Sequence, residues 1–272
     1  MPHSSARSWL AVDVGNSRVK AGLFVSDPDA TEQRLPDCRA CFNTALEDGL
    51  PWEELSTVHE QQNFRGVVVG SNQQGVDRVA TEWSQRSDVE LLVVRDSRQF
   101  PISVDVDYPD RVGFDRLLNA VAVNVIRNPA HAAIVVDCGT ATTIDLVTAN
   151  GTFVGGAILP GFALCATAMH HYTDVLPLIS IDQIADVDAE TSAHPPLGRN
   201  TEAAMMSGVF WGQVGAIREL IQRIGEPLAE PFDIVLTGGG SRLLAPQFPD
   251  AIHCPYLPLQ GLIVAAASTD AG

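Results

Sequence analysis

The feature that most constrains this chain is a short pattern that occurs twice. Residues 11–20 read AVDVGNSRVK and residues 135–144 read VVDCGTATTI. In each, an apolar run that suits a buried strand ends in Asp-x-Gly and then small polar residues. Aligning Asp13 with Asp137 also aligns Gly15 with Gly139, Asn16 with Thr140 and Leu23 with Val147. Each copy opens a segment that reads as a β-hairpin, then further strands, then helices. The repeat predicts an internally duplicated α/β protein with halves over residues 1–127 and 128–272.

Around the two hairpins the order of elements is readable. Residues 66–70 (GVVVG) and 90–94 (ELLVV) suit short buried strands, with a helix over 75–86. Residues 112–126 carry Leu117, Leu118, Val121 and Val125 at helical spacing, and Asn128-Pro129 ends that helix. Asn150-Gly151 marks a hairpin turn. Helices are expected over 161–172 and about 200–224, a loop over 182–199, a strand in FDIVL, and a short terminal helix in GLIVAAAS.

The Asp-x-Gly turn suits phosphate chemistry. A turn of glycine and small polar residues points successive backbone N–H groups at one concave spot that attracts anions. Ser17, Thr140, Thr142 and Thr143 can add hydroxyls. A carboxylate repels phosphate but can hold a cation, or the water shell of Mg²⁺, that in turn holds the phosphate. Two such turns would grip a nucleotide triphosphate from both sides. A third glycine-rich turn, TGGGS at 237–241, follows a strand and would let an adenosine approach the backbone at Gly238 and Gly239. The GxxxxGK[ST] loop is absent, which disfavours a P-loop kinase.

Residues 108–116 read YPDRVGFDR. Asp115 falls at a helix start beside Arg111 and Arg116. In a phosphotransferase a carboxylate must orient the acceptor hydroxyl and take its proton, and Asp115 is the candidate. His170 and His171 are adjacent and point about 100° apart on a helix, so they read as surface or packing residues.

Composition excludes several classes. With 17 basic against 33 acidic residues and a net charge of −16, the chain is a poor ligand for a nucleic-acid backbone. No apolar run approaches the ~20 residues of a membrane span, and residues 1–9 lack a signal-peptide core. The five cysteines are odd in number and scattered, and the CxxC of Cys38 and Cys41 has no zinc-site partners. A cytoplasmic location, with no nucleic-acid or membrane partner, is the expectation.

Taken together the chain resembles the type III pantothenate kinases, of the acetate and sugar kinase/Hsc70/actin superfamily. DVGNSRVK resembles the first phosphate motif, GFDR the substrate motif (usually Gly-Ala-Asp-Arg) and DCGTATTID the second phosphate motif. GGAILPG, DVLPLI, GRNTEAAMMSG and LPLQGL follow in the family's order. The resemblance implies duplicated ribonuclease H-like (actin-like ATPase) halves, with mixed sheets flanked by helices and an ATP cleft between them. It implies ATP-dependent phosphorylation of pantothenate to 4'-phosphopantothenate, the first step to coenzyme A. Asp13, Gly15, Asn16, Ser17 and Lys20 would surround the ATP phosphates and Mg²⁺, with Asp13 reaching Mg²⁺ through water. Thr140 would contact ATP. Asp137 would ligand a monovalent cation, K⁺ or NH₄⁺. Asp115 would be the general base, with Tyr108, Gly113, Phe114, Arg116 and Thr201 lining the pantothenate pocket. A homodimer is also implied. Ser17 stands where the family has Thr and keeps the hydroxyl. Phe114 stands where Ala is common, which crowds the pocket if the ring enters it and changes nothing if the ring packs inward. The alternatives are a kinase of another small-molecule alcohol and a non-catalytic accessory relative.

Overall fold

The computed structural model describes residues 7–16, 18–26, 34–59, 64–186 and 193–269. The chain forms two compact units: Met1–Ile126 with Tyr256–Gly272, and Arg127–Pro255.

The first unit is built on strands β1 (Arg7–Val14), β2 (Arg18–Ser26), β3 (Asp37–Ala45), β4 (Phe64–Gly70) and β5 (Leu91–Val93), ordered β3-β2-β1-β4-β5. β1 runs antiparallel to β2 and parallel to β4. Leu10, Val12, Val14 and Val68 are wholly buried with Val76, Val79 and Trp83 of helix α2 (Gln73–Arg86). Each such side chain contributes about 1.5–3 kcal/mol by leaving water. Asn72 caps α2 by accepting from Gly75 N at 2.9 Å. Helix α1 (Trp52–His59), the short strand β6 (Ser103–Val104) and helix α3 (Phe114–Ile126) complete this part of the chain.

The second unit repeats the plan. Strands β7 (Ala132–Cys138), β8 (Ala141–Val147), β9 (Thr152–Pro160), β10 (Phe232–Thr237) and β11 (Ile252–His253) lie in the order β11-β10-β7-β8-β9. Again the first strand is antiparallel to the second and parallel to the fourth. Helices α4 (Phe162–His171), α5 (Ile181–Ala185), α6 (Thr201–Gly225) and α7 (Ser241–Leu244) accompany them. Phe210, Val214 and Ile217 of α6 pack with Ile134, Val136 and Ile144 in one core. The matched strand orders bear out the duplication read from the two Asp-x-Gly hairpins.

One boundary differs from expectation. The sequence division assigns the terminal helix to residues 128–272, yet α8 (Leu257–Thr269) belongs to the first unit. The cause is a close approach of helices. A β-carbon at Gly261 would overlap the Leu118 carbonyl oxygen, so glycine lets α8 lie directly on α3. Gln260 Nε2 donates to Pro36 O at 2.8 Å, and Tyr256 meets the Phe24 ring edge-on at 6.5 Å. The helix also begins before GLIVAAAS, taking in Leu257–Gln260.

Candidate active site

In the first unit the β1–β2 hairpin presents Asp13, Gly15, Asn16 and Lys20. Asp13 and Lys20 are cross-strand partners and so share one face of the sheet. The turn is closed by Gly15 N donating to Arg18 O at 2.9 Å, and Asn16 is exposed at its tip. Ser17 lies outside the described residues.

The acceptor motif opens α3. Gly113 accepts from Leu117 N at 3.3 Å, and a β-carbon at Gly113 would stand 2.5 Å from Asp115 Oδ1. Glycine there leaves the Asp115 carboxylate its place. Asp115 is exposed and its Oδ1 accepts from Arg116 N at 2.9 Å. Tyr108 is 64% exposed, and the Arg111 guanidinium lies 4.9 Å from its ring centroid. Tyr108 and Arg111 therefore offer a cation and an aromatic face side by side. Phe114 meets the buried Phe100 edge-on at 5.8 Å, so its ring is held by packing within its own unit.

In the second unit three turns depend on one another. Gly139 N donates to Ala141 O at 3.1 Å and leaves Thr140 exposed. Gly161 N donates to Thr140 O at 3.0 Å. Gly240 N donates to Cys138 O at 2.8 Å, which draws the TGGGS turn onto the Asp-x-Gly turn. Gly238 has φ +87°, and its missing β-carbon would overlap Asp137 Oδ1. Gly239 is exposed with nothing within 4 Å of its β-carbon position. The two glycines thus differ: Gly238 is shaped by the protein, while Gly239 faces open space.

Asp137 is 8% exposed. Its cross-strand partners are Thr143 on β8 and Thr237 on β10, which places all three side chains on one face. The hydroxyls of Thr143 and Thr237 are buried and have no hydrogen-bond partner among the described residues. Buried hydroxyls are normally satisfied, so a pair of orphans beside a carboxylate marks a place where something else supplies the bond.

Thr142 behaves otherwise than expected. Alternation puts it on the opposite face, where its hydroxyl donates to Gln213 Oε1 at 3.0 Å. Gln213 Nε2 in turn donates to Pro160 O at 2.7 Å. Thr142 is therefore wholly buried and braces the turn against α6 rather than offering a hydroxyl to phosphate. Thr201 is the first residue of α6, exposed and following the cap Asn200, which accepts from Ala203 N at 2.8 Å. His170 Nδ1 bonds to Leu176 O at 2.8 Å, a local tie. Among the described residues no three His, Cys, Asp or Glu side chains gather as a metal cluster, and all five cysteines are free. Sequence reasoning missed Thr237, Gln213, Ser241 and His253. Thr237 and Ser241 stand at either end of the glycine run, but Gln213 and His253 carry no local signal.

The family model for type III pantothenate kinase matches residues 9–223. The chain belongs to the type III pantothenate kinase family. A type III pantothenate kinase of Ruegeria sp. (strain TM1040) is 42% identical over 248 residues, covering 88% of this chain and 86% of the relative. Two solved structures share the fold over nearly the whole chain. A Campylobacter jejuni protein assigned to the Baf family of transcriptional activators superposes with TM-score 0.58 at 20% identity, over 97% of this chain and all of its own. The activator of the 2-hydroxyisocaproyl-CoA dehydratase from Clostridium difficile, with bound ADPNP, gives 0.51 at 12% identity, over 97% and 96%. The match to the pantothenate kinase model takes in Asp13, Asp115 and Asp137.

Proposed function

We propose that the chain phosphorylates pantothenate with ATP, giving 4'-phosphopantothenate and ADP at the first step of coenzyme A synthesis. The observation that carries this reading is membership of the pantothenate kinase family with Asp115 retained, exposed, at the start of α3.

Asp115 takes the proton from the primary hydroxyl as the new O–P bond forms and the bond to the ADP oxygen breaks. Arg116, Tyr108, Gly113, Phe114 and Thr201 serve the acceptor. Asp13, Gly15, Asn16, Lys20 and Thr140 serve the phosphates, and Gly238 and Gly239 the adenosine. Asp13 would hold Mg²⁺ through water, and the ion would offset phosphate charge. The Asp137 carboxylate with the orphan hydroxyls of Thr143 and Thr237 is an oxygen-only donor set, which fits a hard cation such as K⁺ or NH₄⁺.

A homodimer is part of this reading. The second unit exposes Tyr172, Val175, Leu178 and Leu197. Helix α6 carries Ala204, Gly208, Gly212 and Gly215 along one exposed face. Each glycine costs a helix about 1 kcal/mol relative to alanine, a cost that close helix packing against a second copy would offset. Among the described residues no helix is long and apolar enough to cross a membrane. A cytoplasmic enzyme fits that observation.

The test is ATP-dependent phosphorylation of pantothenate by purified protein, with and without K⁺, beside glucose and acetate. Turnover on pantothenate alone, dependent on K⁺, is expected. Turnover on another acceptor alone would overturn the substrate, and ATP binding without turnover on any acceptor would favour an accessory protein.

A further inference from the structure

The TGGGS turn is held from behind by a chain of hydrogen bonds that the family motifs do not include. Ser241 is wholly buried. Its Oγ lies 2.6 Å from Gly238 O and 2.9 Å from His253 Nε2. Its backbone N also donates to Gly238 O, at 3.1 Å. Two oxygens 2.6 Å apart need a proton between them, and the hydroxyl has only one. Ser241 therefore donates to the Gly238 carbonyl and must accept from His253. That assigns the imidazole proton to Nε2. His253 is exposed, yet desolvation of its ring and then the Arg242 cation hold its pKa below the ordinary range.

His253 is itself anchored. It is the last residue of β11 and pairs with Leu236 of β10, the strand that runs into the turn. Cys254 N donates to Leu236 O at 2.9 Å. At the front, the same turn presses Gly238 against Asp137 Oδ1 and leaves Gly239 open.

We propose that His253 is a positioning residue of the nucleotide site, holding the Gly238–Gly240 turn against Asp137 through Ser241. The inference rests on the kinase reading and names a residue that acts behind it. His253 does not touch the nucleotide. Its donated hydrogen bond keeps the Ser241 proton aimed at Gly238 O, and so fixes the carbonyl that sets the turn. Without that donor Ser241 Oγ still donates to Gly238 O, but it loses the bond that ties it to β11, and the turn is held less firmly.

The experiment compares wild type with His253→Leu, which removes the donor, and His253→Gln, which restores an N–H. ATP affinity is measured by calorimetric titration, and KM for ATP and for pantothenate by turnover. In His253→Leu, ATP Kd and KM should rise about 2- to 10-fold, the range of one lost hydrogen bond. KM for pantothenate should not change, and His253→Gln should recover most of the loss. Ser241→Ala should reproduce the shift, and combining it with His253→Leu should add nothing. If His253→Leu does not fold, the Ser241→Ala and His253→Gln arms decide. Wild-type ATP affinity in the variants that lose the bond would overturn the proposal, as would equal losses in the Leu and Gln variants or equal rises in both KM values. A wild-type protein that neither binds ATP nor turns over would overturn the kinase reading and this inference with it.

Discussion

Gly238 and Asp137 occupy each other's space: a β-carbon on the glycine would overlap Oδ1 of the acid and stand 2.8 Å from the backbone N and C of Cys138. Gly238→Ala must therefore displace the carboxylate or the turn, in a backbone region that alanine rarely adopts. A loss of about 1–3 kcal/mol in stability and most of the turnover is expected. Gly239→Ala meets nothing within 4 Å. It should melt like wild type while raising KM for ATP. Thermal unfolding and ATP kinetics on the two variants check the contrast.

Asp115→Asn should leave the melting temperature near wild type, because the carboxylate is exposed. Turnover should fall by about 10²–10⁴-fold with ATP binding retained. Near wild-type turnover would remove Asp115 as the base.

Thr237→Val should act with opposite signs on stability and activation. Its hydroxyl is buried without a partner, so replacing it should stabilise the cation-free protein by about 1 kcal/mol. The same change should raise the K⁺ concentration needed for half-maximal activity. Asp137→Asn should raise it further, by at least about tenfold, since it removes the charge. Melting curves in buffer without K⁺ or NH₄⁺, and K⁺ titrations of activity, test both halves.

Phe114→Ala tests whether the larger residue alters acceptor binding. The ring packs edge-on to Phe100. The variant should lose about 1 kcal/mol of stability and change KM for pantothenate by less than about threefold. A large fall in KM would mean that the ring crowds the acceptor.

Alkaline pH should destabilise the protein through its thiols. Burial, and then the neighbouring Asp137 charge, push the Cys138 thiol far up, and burial also raises Cys38, Cys165 and Cys254. The folded state keeps these protons above about pH 8.5, where an unfolded chain releases them. Their contribution is full below that pH and is lost as pH rises through the folded values. Melting temperature should fall from pH 8 to pH 10, less steeply in Cys138→Ala. Under iodoacetamide, Cys138 should be the last thiol modified.

The duplication and its two hairpins were legible because they are local: apolar strands end in Asp-x-Gly within ten residues. Strand β3 was not legible. It is a sheet edge with partly buried residues on both faces, so DCRACFNTA has no clean alternation. Asp13, Asp115 and Asp137 could be picked from their motifs. The hydroxyl pair around Asp137 depends on register between three strands, one of them about 100 residues downstream, and a linear reading does not carry register. Thr142 and Thr143 are adjacent and chemically alike, yet one braces the turn and the other lies beside Asp137. Only the pleat separates them.

The return of α8 to α3 has a consequence for biogenesis. A ribosome delivers residues 127–255 as one uninterrupted stretch, which can close its core as soon as it clears the exit tunnel. The unit that contains residues 1–126 must wait for α8, because Leu118 has no Gly261 against it until residues 257–269 are made. At about 5–20 residues per second, that delay is roughly 7–30 s. During it the part of α3 that α8 covers is open, so the unit begun first is completed after the other, and deleting α8 should damage residues 1–126 rather than 127–255.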